Sequence, residues 1–203
     1  GLAEVYDALP LPNWVPVVAK FIALCGALAI IQGVAVLTAM CVQLLRGWTE
    51  LEPGLYLEGV FLIQLSQWML LAALALFMQS LANNKYVGFL LVAGVFVLQQ
   101  VMPALDLERA LYRYGSSPSA PYSDMNGFGH FLTGVFWYRV YWSCGAAAMF
   151  GLGILLWPRG TDARWAQRWR AARRGFRGRV AAAMLTLLAG FAATGAYIFY
   201  NTD

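Results

Sequence analysis

Charge is the property that this sequence has least of. Only 12% of its 203 residues are charged and 61% are hydrophobic, whereas a soluble domain carries about a quarter charged residues. A chain with so little polar surface cannot cover a water-facing globule. Several apolar runs also reach or approach the ~20 residues needed to cross a bilayer core. The composition therefore predicts an all-α, polytopic integral membrane protein and excludes a soluble globular domain.

Catalytic motifs are missing as well. The chain has a single histidine, His130, whereas a zinc hydrolase uses about three protein ligands. It contains no H-E-x-x-H, no G-x-S-x-G and no G-x-x-x-x-G-K-[ST], which excludes the usual zinc-protease, serine-hydrolase and P-loop ATPase sites. We expect no enzyme activity and no cofactor in this chain. Any energy input must then come from another chain or from a gradient.

Cysteine is scarce and is placed where it cannot cross-link the chain in an obvious way. The three cysteines, Cys25, Cys41 and Cys144, all lie inside apolar runs. An odd number of thiols at such positions predicts small packing residues, not disulfides or metal ligands.

Five apolar segments are predicted to cross the membrane as a helical bundle. They cover about residues 15–45, 55–80, 86–102, 136–157 and 180–200. The first exceeds the length of a ~30 Å core, and Lys20 in its first turns can snorkel to the headgroups. Pro103 is expected to stop the third segment. An outer loop of about residues 103–135 then leads to the fourth.

The arginines predict the orientation. Residues 159–179 contain eight arginines and one acid, Asp162, and short loops of this kind stay in the cytoplasm. Alternation then puts the N-terminus inside and the C-terminus outside. The sequence begins without methionine and ends directly after an apolar run, so we expect one domain of a longer protein. The predicted parts are a cytoplasmic coupling segment (1–14), four spans with the outer loop (15–157), an Arg-rich cytoplasmic amphipathic loop (158–179) and a last span leading to an absent C-terminal domain (180–203).

The Arg-rich loop has the pattern of an interfacial helix. If residues 162–177 are helical, Trp165, Trp169 and Phe176 share one face, and Thr161 can cap the start. This predicts a helix lying on anionic headgroups; the alternative is a docking surface for an acidic cytoplasmic partner. The residues assigned to lipid contact are Arg164, Arg168, Arg170, Arg173 and Arg174.

Several amides lie inside the predicted spans. Gln64 and Gln67 share one helix face, and Gln32 and Gln99 lie in the first and third spans. Such amides either hydrogen-bond neighbouring helices or line a substrate path, and both interpretations stay open. Of the polar residues considered within the spans, only Glu58 is ionisable, and it is expected near the outer interface. We therefore predict no proton or ion relay.

Turn-forming residues are densest in "YSDMNGFGHF", residues 122–131. Gly127 and Gly129 can supply unusual dihedrals, and neighbouring Asp and Asn side chains can accept backbone N–H groups. A Ser123–His130 nucleophile and base pair would lack a third group. We predict a structural or gating loop, with a substrate- or partner-binding surface as the alternative. The motif residues are Tyr122, Ser123, Asp124, Asn126, Gly127 and His130.

The N-terminal stretch "YDALPLPNWVPVVAKFIAL", residues 6–24, resembles a recurring segment of type-2 ABC transporter permeases. The resemblance implies that residues 5–20 form a coupling segment that contacts a separate ATPase subunit. The residues that match the family pattern are Asp7, Leu9, Pro10, Ala19 and Lys20.

The stretches "LYRYGSSPSAPYSDMNGFGHF" and "WPRGTDARWAQR" extend the resemblance. They are similar to the second permease half of a bacterial family whose permease spans are joined to a periplasmic zinc aminopeptidase of the aminopeptidase N type. The resemblance implies an ABC-type exporter permease in the bacterial inner membrane, with a peptidase after Asp203. The alternative is a non-transporting membrane anchor for such a peptidase. Expected partners are lipids, the ATPase and a second permease half or copy, but no nucleic acid.

Overall fold

The described part of the chain is a bundle of helices. The computed structural model describes residues 11–82, 84–107, 109–123, 127–129, 131–157 and 165–201, and within them it contains no strand beyond one isolated bridge. The predicted all-α class is confirmed. The helices are α1 (Trp14–Leu45), α2 (Pro53–Leu81), α3 (Lys85–Val101), α4 (Phe131–Leu155), α5 (Trp165–Gly175) and α6 (Arg179–Asn201).

Four helices of the described residues are long and apolar enough to cross a membrane. They are Trp14–Leu45, Pro53–Leu81, Lys85–Leu105 and Arg179–Asn201. Helix α4 has 25 residues, which at ~1.5 Å each is also long enough. It does not belong to the apolar set because its sequence "FWYRVYWS" carries an arginine, phenols and indoles. The expectation of about five spans is therefore supported for four of them.

Some boundaries differ from the prediction. The α-helix of the third segment ends at Val101, within one residue of the predicted end, and passes at Met102 into a 3₁₀ turn, Met102–Leu105, that contains Pro103. Proline fits the first turn of such a helix since its missing N–H has no partner there. Helix α4 begins at Phe131, so residues 131–135 belong to a helix and not to the predicted outer loop. The segment between α3 and α4 therefore ends before residue 131.

Helix α4 lies at the centre of the bundle. It packs between α2 and α6, and the buried core joins Leu70 of α2, Trp142 of α4 and Ile198 of α6. The ring of Tyr141 stacks on Phe191 with centroids 4.2 Å apart. A Cβ on Gly195 would lie 2.9 Å from the Tyr141 ring, so glycine at this position allows the close approach of α6. The least apolar long helix is shielded by its neighbours.

Helix α2 is widened near its start. Residues Leu57–Leu65 form nine residues of π-helix inside the longer helix. Such segments are rare and occur frequently at functional sites. The ring of Phe128, from the turn before α4, lies 3.3 Å from where a Cβ on Gly59 would be. The wide turns therefore lie beside the segment that connects α3 to α4.

Helices α1 and α3 are peripheral. Both pack on α2, and α1 also reaches α4 through Phe21 and Phe150, whose ring centroids are 5.1 Å apart. Their outer faces are apolar and exposed, with Ile30 of α1 and Phe89 of α3 at 69% and 72% exposure. These faces have the character of surfaces that meet lipid or another membrane helix.

Candidate functional site

The connection between α3 and α4 enters the bundle. The Tyr114 hydroxyl donates to the backbone oxygen of Leu70, 2.8 Å away, and Leu70 belongs to the buried core. The Tyr114 ring also meets the Trp142 ring edge-on, with centroids 5.0 Å apart. Non-helical backbone at this depth requires polar partners for its own amide and carbonyl groups.

Arg139 of α4 supplies one of these partners. Its Nη1 donates to the oxygen of Gly115 at 2.7 Å, and its Nη2 donates to the oxygen of Ile63 at 3.1 Å. Nη2 also lies 3.4 Å from Oε1 of Gln67. One guanidinium thus connects the inserted loop, the π-helical part of α2 and a side chain of α2.

Gln99 of α3 supplies the second partner. Its Nε2 donates to the oxygen of Tyr114 at 3.5 Å. At ~1.5 Å per residue, Arg139 lies about 24 Å from the Leu155 end of α4, and Gln67 and Gln99 lie about 21 Å from the Leu81 and Lys85 ends of their helices. These residues form one polar layer. We call Gln67, Gln99, Tyr114, Gly115 and Arg139 the Arg139 cluster.

Two hydrogen-bond donors in or beside the Arg139 cluster have no described acceptor. The Nε of Arg139 and the Nε1 of Trp142 are buried and have no acceptor among the described residues. No described carboxylate forms an ion pair with Arg139. Buried donors of this kind call for a water, an ion or a ligand that accepts from them. The arrangement can bind an acceptor or an anionic group, but it offers no nucleophile and base pair. Within the described ranges no three His, Cys, Asp or Glu side chains are close enough to hold a metal ion.

The YSDMNGFGHF motif is described only in part. Ser123 and Gly127 exchange backbone hydrogen bonds of 2.9 and 2.7 Å, and Gly127 and Gly129 have φ of 58° and 46°. The tight turn and its glycine dihedrals follow the expectation. The Tyr122 hydroxyl lies 3.4 Å from Oε2 of Glu52 at the start of α2. The remaining motif residues, Asp124, Asn126 and His130, lie outside the described residues.

The structure brings together two of the four predicted amides. Gln67 and Gln99 belong to the Arg139 cluster. Gln64 is exposed, Gln32 is half-buried, and neither side chain hydrogen-bonds a described residue. Glu58, expected near an interface, is exposed in the π-helical part of α2.

Arg168 occupies a different place from the other arginines of α5. It is only 4% exposed, and its Nε donates to the oxygen of Leu156 at 2.9 Å. Its Nη2 donates to the oxygens of Ser80 and Leu156, at the C-terminal ends of α2 and α4. Burial lowers the pKa of this guanidinium, although arginine starts so high that it keeps its charge. Arg168 therefore binds two helix ends rather than a lipid surface.

The other residues predicted to contact lipid or an ATPase lie on α5, on α1 or outside the described residues. Exposed positions on α5 are occupied by Arg170, Arg173 and Arg174, and Arg173 lies 5.4 Å from the Trp169 ring centroid. Lys20 lies in the second turn of α1. The other predicted lipid and coupling residues, Arg164, Asp7, Leu9 and Pro10, lie outside the described residues. We call the end of the bundle that carries α5 the arginine end, and the opposite end the loop end.

Arg139 is the residue that the sequence analysis missed. It stands in "FWYRVYW", inside the predicted fourth span, where an ionisable side chain is by itself a sign of function. The sequence shows that an arginine lies inside an apolar span, but it does not indicate which residues that arginine contacts.

Comparison of the chain with known protein families, with curated proteins and with solved structures found no match. Function therefore has to be argued from the residues and their geometry.

Proposed function

We propose that this chain is the transmembrane permease domain of an ABC-type exporter in a bacterial inner membrane, coupled to a separate ATPase. The resemblance of residues 6–24 and of the 111–131 stretch to permease segments supports the ATPase part of the proposal. The Arg139 cluster supports the transport part. In this proposal the arginine end faces the cytoplasm and the loop end faces outward.

The observation that carries the proposal is the Arg139 guanidinium, which pairs with no carboxylate among the described residues. A domain that only anchors a protein needs apolar helices, and a cation within one adds a cost without a gain. Here the cation lies beside an inserted loop and two buried donors, Arg139 Nε and Trp142 Nε1, have no described acceptor. A polar or anionic substrate passing this layer could accept from them. The inserted loop would close the path at the loop end.

Two continuous connections could carry movement from the arginine end to this layer. Helix α1 runs without a break from Trp14 through Lys20 to Leu45, so a displacement of its start moves the whole helix. Helix α4 has Arg168 bound at its Leu156 end and carries Arg139 about 24 Å away. In the proposal an ATPase acting on residues 5–20 would shift α1 against α2 and α4 and change the Arg139 contacts.

The alternative is a non-transporting anchor for a periplasmic zinc aminopeptidase. The packing of α6 favours it. The rings of Trp137 and Tyr197 are 4.6 Å apart, and Phe191 stacks on Tyr141, so the loop end of α6 is firmly joined to α4. A rigid last helix is what an attached outer domain requires.

Co-purification of an ATPase separates the two functions. The full-length parent protein would be purified in detergent, and any associated P-loop ATPase identified by mass spectrometry and assayed for ATP hydrolysis. The test variant is Asp7→Lys with Pro10→Gly, and the matched control is Glu50→Lys, which makes the same charge change in the exposed segment between α1 and α2. We expect the ATPase with wild type and control, and its loss from the test variant. Absence of an ATPase from all three samples would favour the anchor.

A further inference from the structure

The two lysines of this chain line the same cavity. Lys20 and Lys85 are its only lysines, and the rest of its 14 basic residues are arginines. They lie on different helices, α1 and the first turn of α3, yet both line one cavity of about 370 Å³ at the arginine end. Gln79, Asn84 and Trp157 complete its polar and aromatic wall. We call this cavity the lysine pocket.

The walls of the lysine pocket are ordered by specific contacts. The Nζ of Lys20 lies 4.5 Å from the ring centroid of Trp157, and the Nζ of Lys85 lies 5.1 Å from that of Tyr86. The Asn84 side chain accepts from the backbone N–H of Tyr86 at 2.9 Å. Gln79 donates to the oxygen of Lys85 at 3.3 Å. Residues of α1, α2 and α3 and the end of α4 therefore converge here.

The charge of the lysine pocket is one-sided. Lys20 and Lys85 line it, and no carboxylate belongs to its described lining. Like charges that share a cavity repel each other, and an anion between them removes the repulsion. The N-terminus of α3 adds its partial positive charge at Lys85. Lysine ammonium groups are common phosphate ligands.

We propose that the lysine pocket binds the phosphate of an anionic phospholipid in the leaflet at the arginine end. The surface next to the pocket favours a lipid over a free anion. Tyr86, Phe89 and Leu90 of α3 are 71%, 72% and 69% exposed, and Ile22 of α1 is 63% exposed. Acyl chains can lie along these faces while the headgroup sits between the lysines, as in other basic pockets between membrane helices. The site concerns a lipid and does not depend on the proposed transport function.

Binding would be measured on the purified chain by native mass spectrometry. Phosphatidylglycerol would be compared with phosphatidylcholine of the same acyl chains, because the two differ in headgroup charge. The test variant is Lys20→Gln with Lys85→Gln. The matched control is Arg177→Gln with Arg179→Gln, which removes two exposed charges at the same end from residues that were not assigned to lipid contact. We expect phosphatidylglycerol to bind at least tenfold more weakly to the lysine variant, with little change in the control.

Wild-type protein provides a test that no folding defect can obscure. The two ε-amines would be acetylated with a limiting amine reagent, and their modification rates read by peptide mass spectrometry. Phosphatidylglycerol should slow both rates several-fold, and phosphatidylcholine should not. Equal protection by both lipids, or equal loss of binding in the arginine control, would overturn the proposal. Protection by millimolar inorganic phosphate alone, matching that by the lipid, would assign the pocket to a soluble phosphate instead.

Discussion

Each end of the bundle has an arginine that binds backbone oxygens, Arg168 buried and Arg139 half-buried, and the two are bound in different ways. Arg168 donates to Ser80 and Leu156 oxygens, which are among the last carbonyls of α2 and α4. Helices leave such carbonyls without partners, and their dipoles favour a cation there. Arg139 instead donates to Gly115 in an inserted loop and to Ile63 in a π-helical segment.

This difference separates an arginine whose position helix geometry explains from one whose position it does not explain. Helix geometry alone accounts for Arg168, because any two helix ends that meet would favour such a cation. Nothing in helix geometry requires Arg139, whose acceptors exist only because a loop enters the bundle and α2 is widened. At the arginine end, Arg168 thus holds the ends of α2 and α4 together. The loop end is the part of the molecule that demands a functional explanation.

The largest effect is expected when Arg168 is replaced. Arg168→Met removes at least three hydrogen bonds to two helix ends, and at ~1 kcal/mol each the loss of unfolding free energy is about 3 kcal/mol. Arg170→Met, on the exposed face of α5, should change it by less than about 0.5 kcal/mol. Unfolding of both variants would be followed by circular dichroism during titration of mixed micelles with sodium dodecyl sulfate. Equal stability of the two variants would remove the distinction between Arg168 and its neighbours.

A smaller and more local effect is expected at Arg139. Arg139→Met removes the two hydrogen bonds to the oxygens of Gly115 and Ile63. At ~1 kcal/mol each, the expected loss of unfolding free energy is about 2 kcal/mol. Hydrogen exchange should accelerate in residues 109–123 and stay unchanged at α5. Arg139→Lys keeps the charge but not the planar fork, so it should release the loop nearly as much. If exchange accelerated at both ends of the bundle, the contacts of Arg139 and Arg168 would not be independent of each other.

The membrane helices could be predicted because each depends on a local property. Apolar length gave spans near 15–45 and 55–80, and the structure has Trp14–Leu45 and Pro53–Leu81. The central position of α4 could not be predicted, since it depends on which faces its neighbours present. The same sequence features that make it the least apolar long helix, Arg139 among them, are tolerated because α2 and α6 cover it.

The candidate site was predictable only in part. Gln67 and Gln99 were identified as amides that could pack or line a path, and both are now partners within one polar layer. Arg139 comes from far along the chain, 72 residues from Gln67 and 76 from Ile63. No periodicity predicts such a contact. The insertion of Tyr114 was hidden for the same reason, because loop composition indicates turns but not the depth that they reach.

The smallest expected effect tests that depth directly. Tyr114→Phe removes one hydrogen bond, to Leu70, and keeps the ring against Trp142, so unfolding free energy should fall by only about 1 kcal/mol. Tyr112→Phe is the matched control, because its side chain is 43% exposed and two residues away in the same loop. If Tyr114 enters the core, its variant alone should change the near-ultraviolet signal of the Trp142 environment while leaving α5 untouched. If both variants behave alike, the loop lies on the surface, and Arg139 would then need a different partner to explain its place in the bundle.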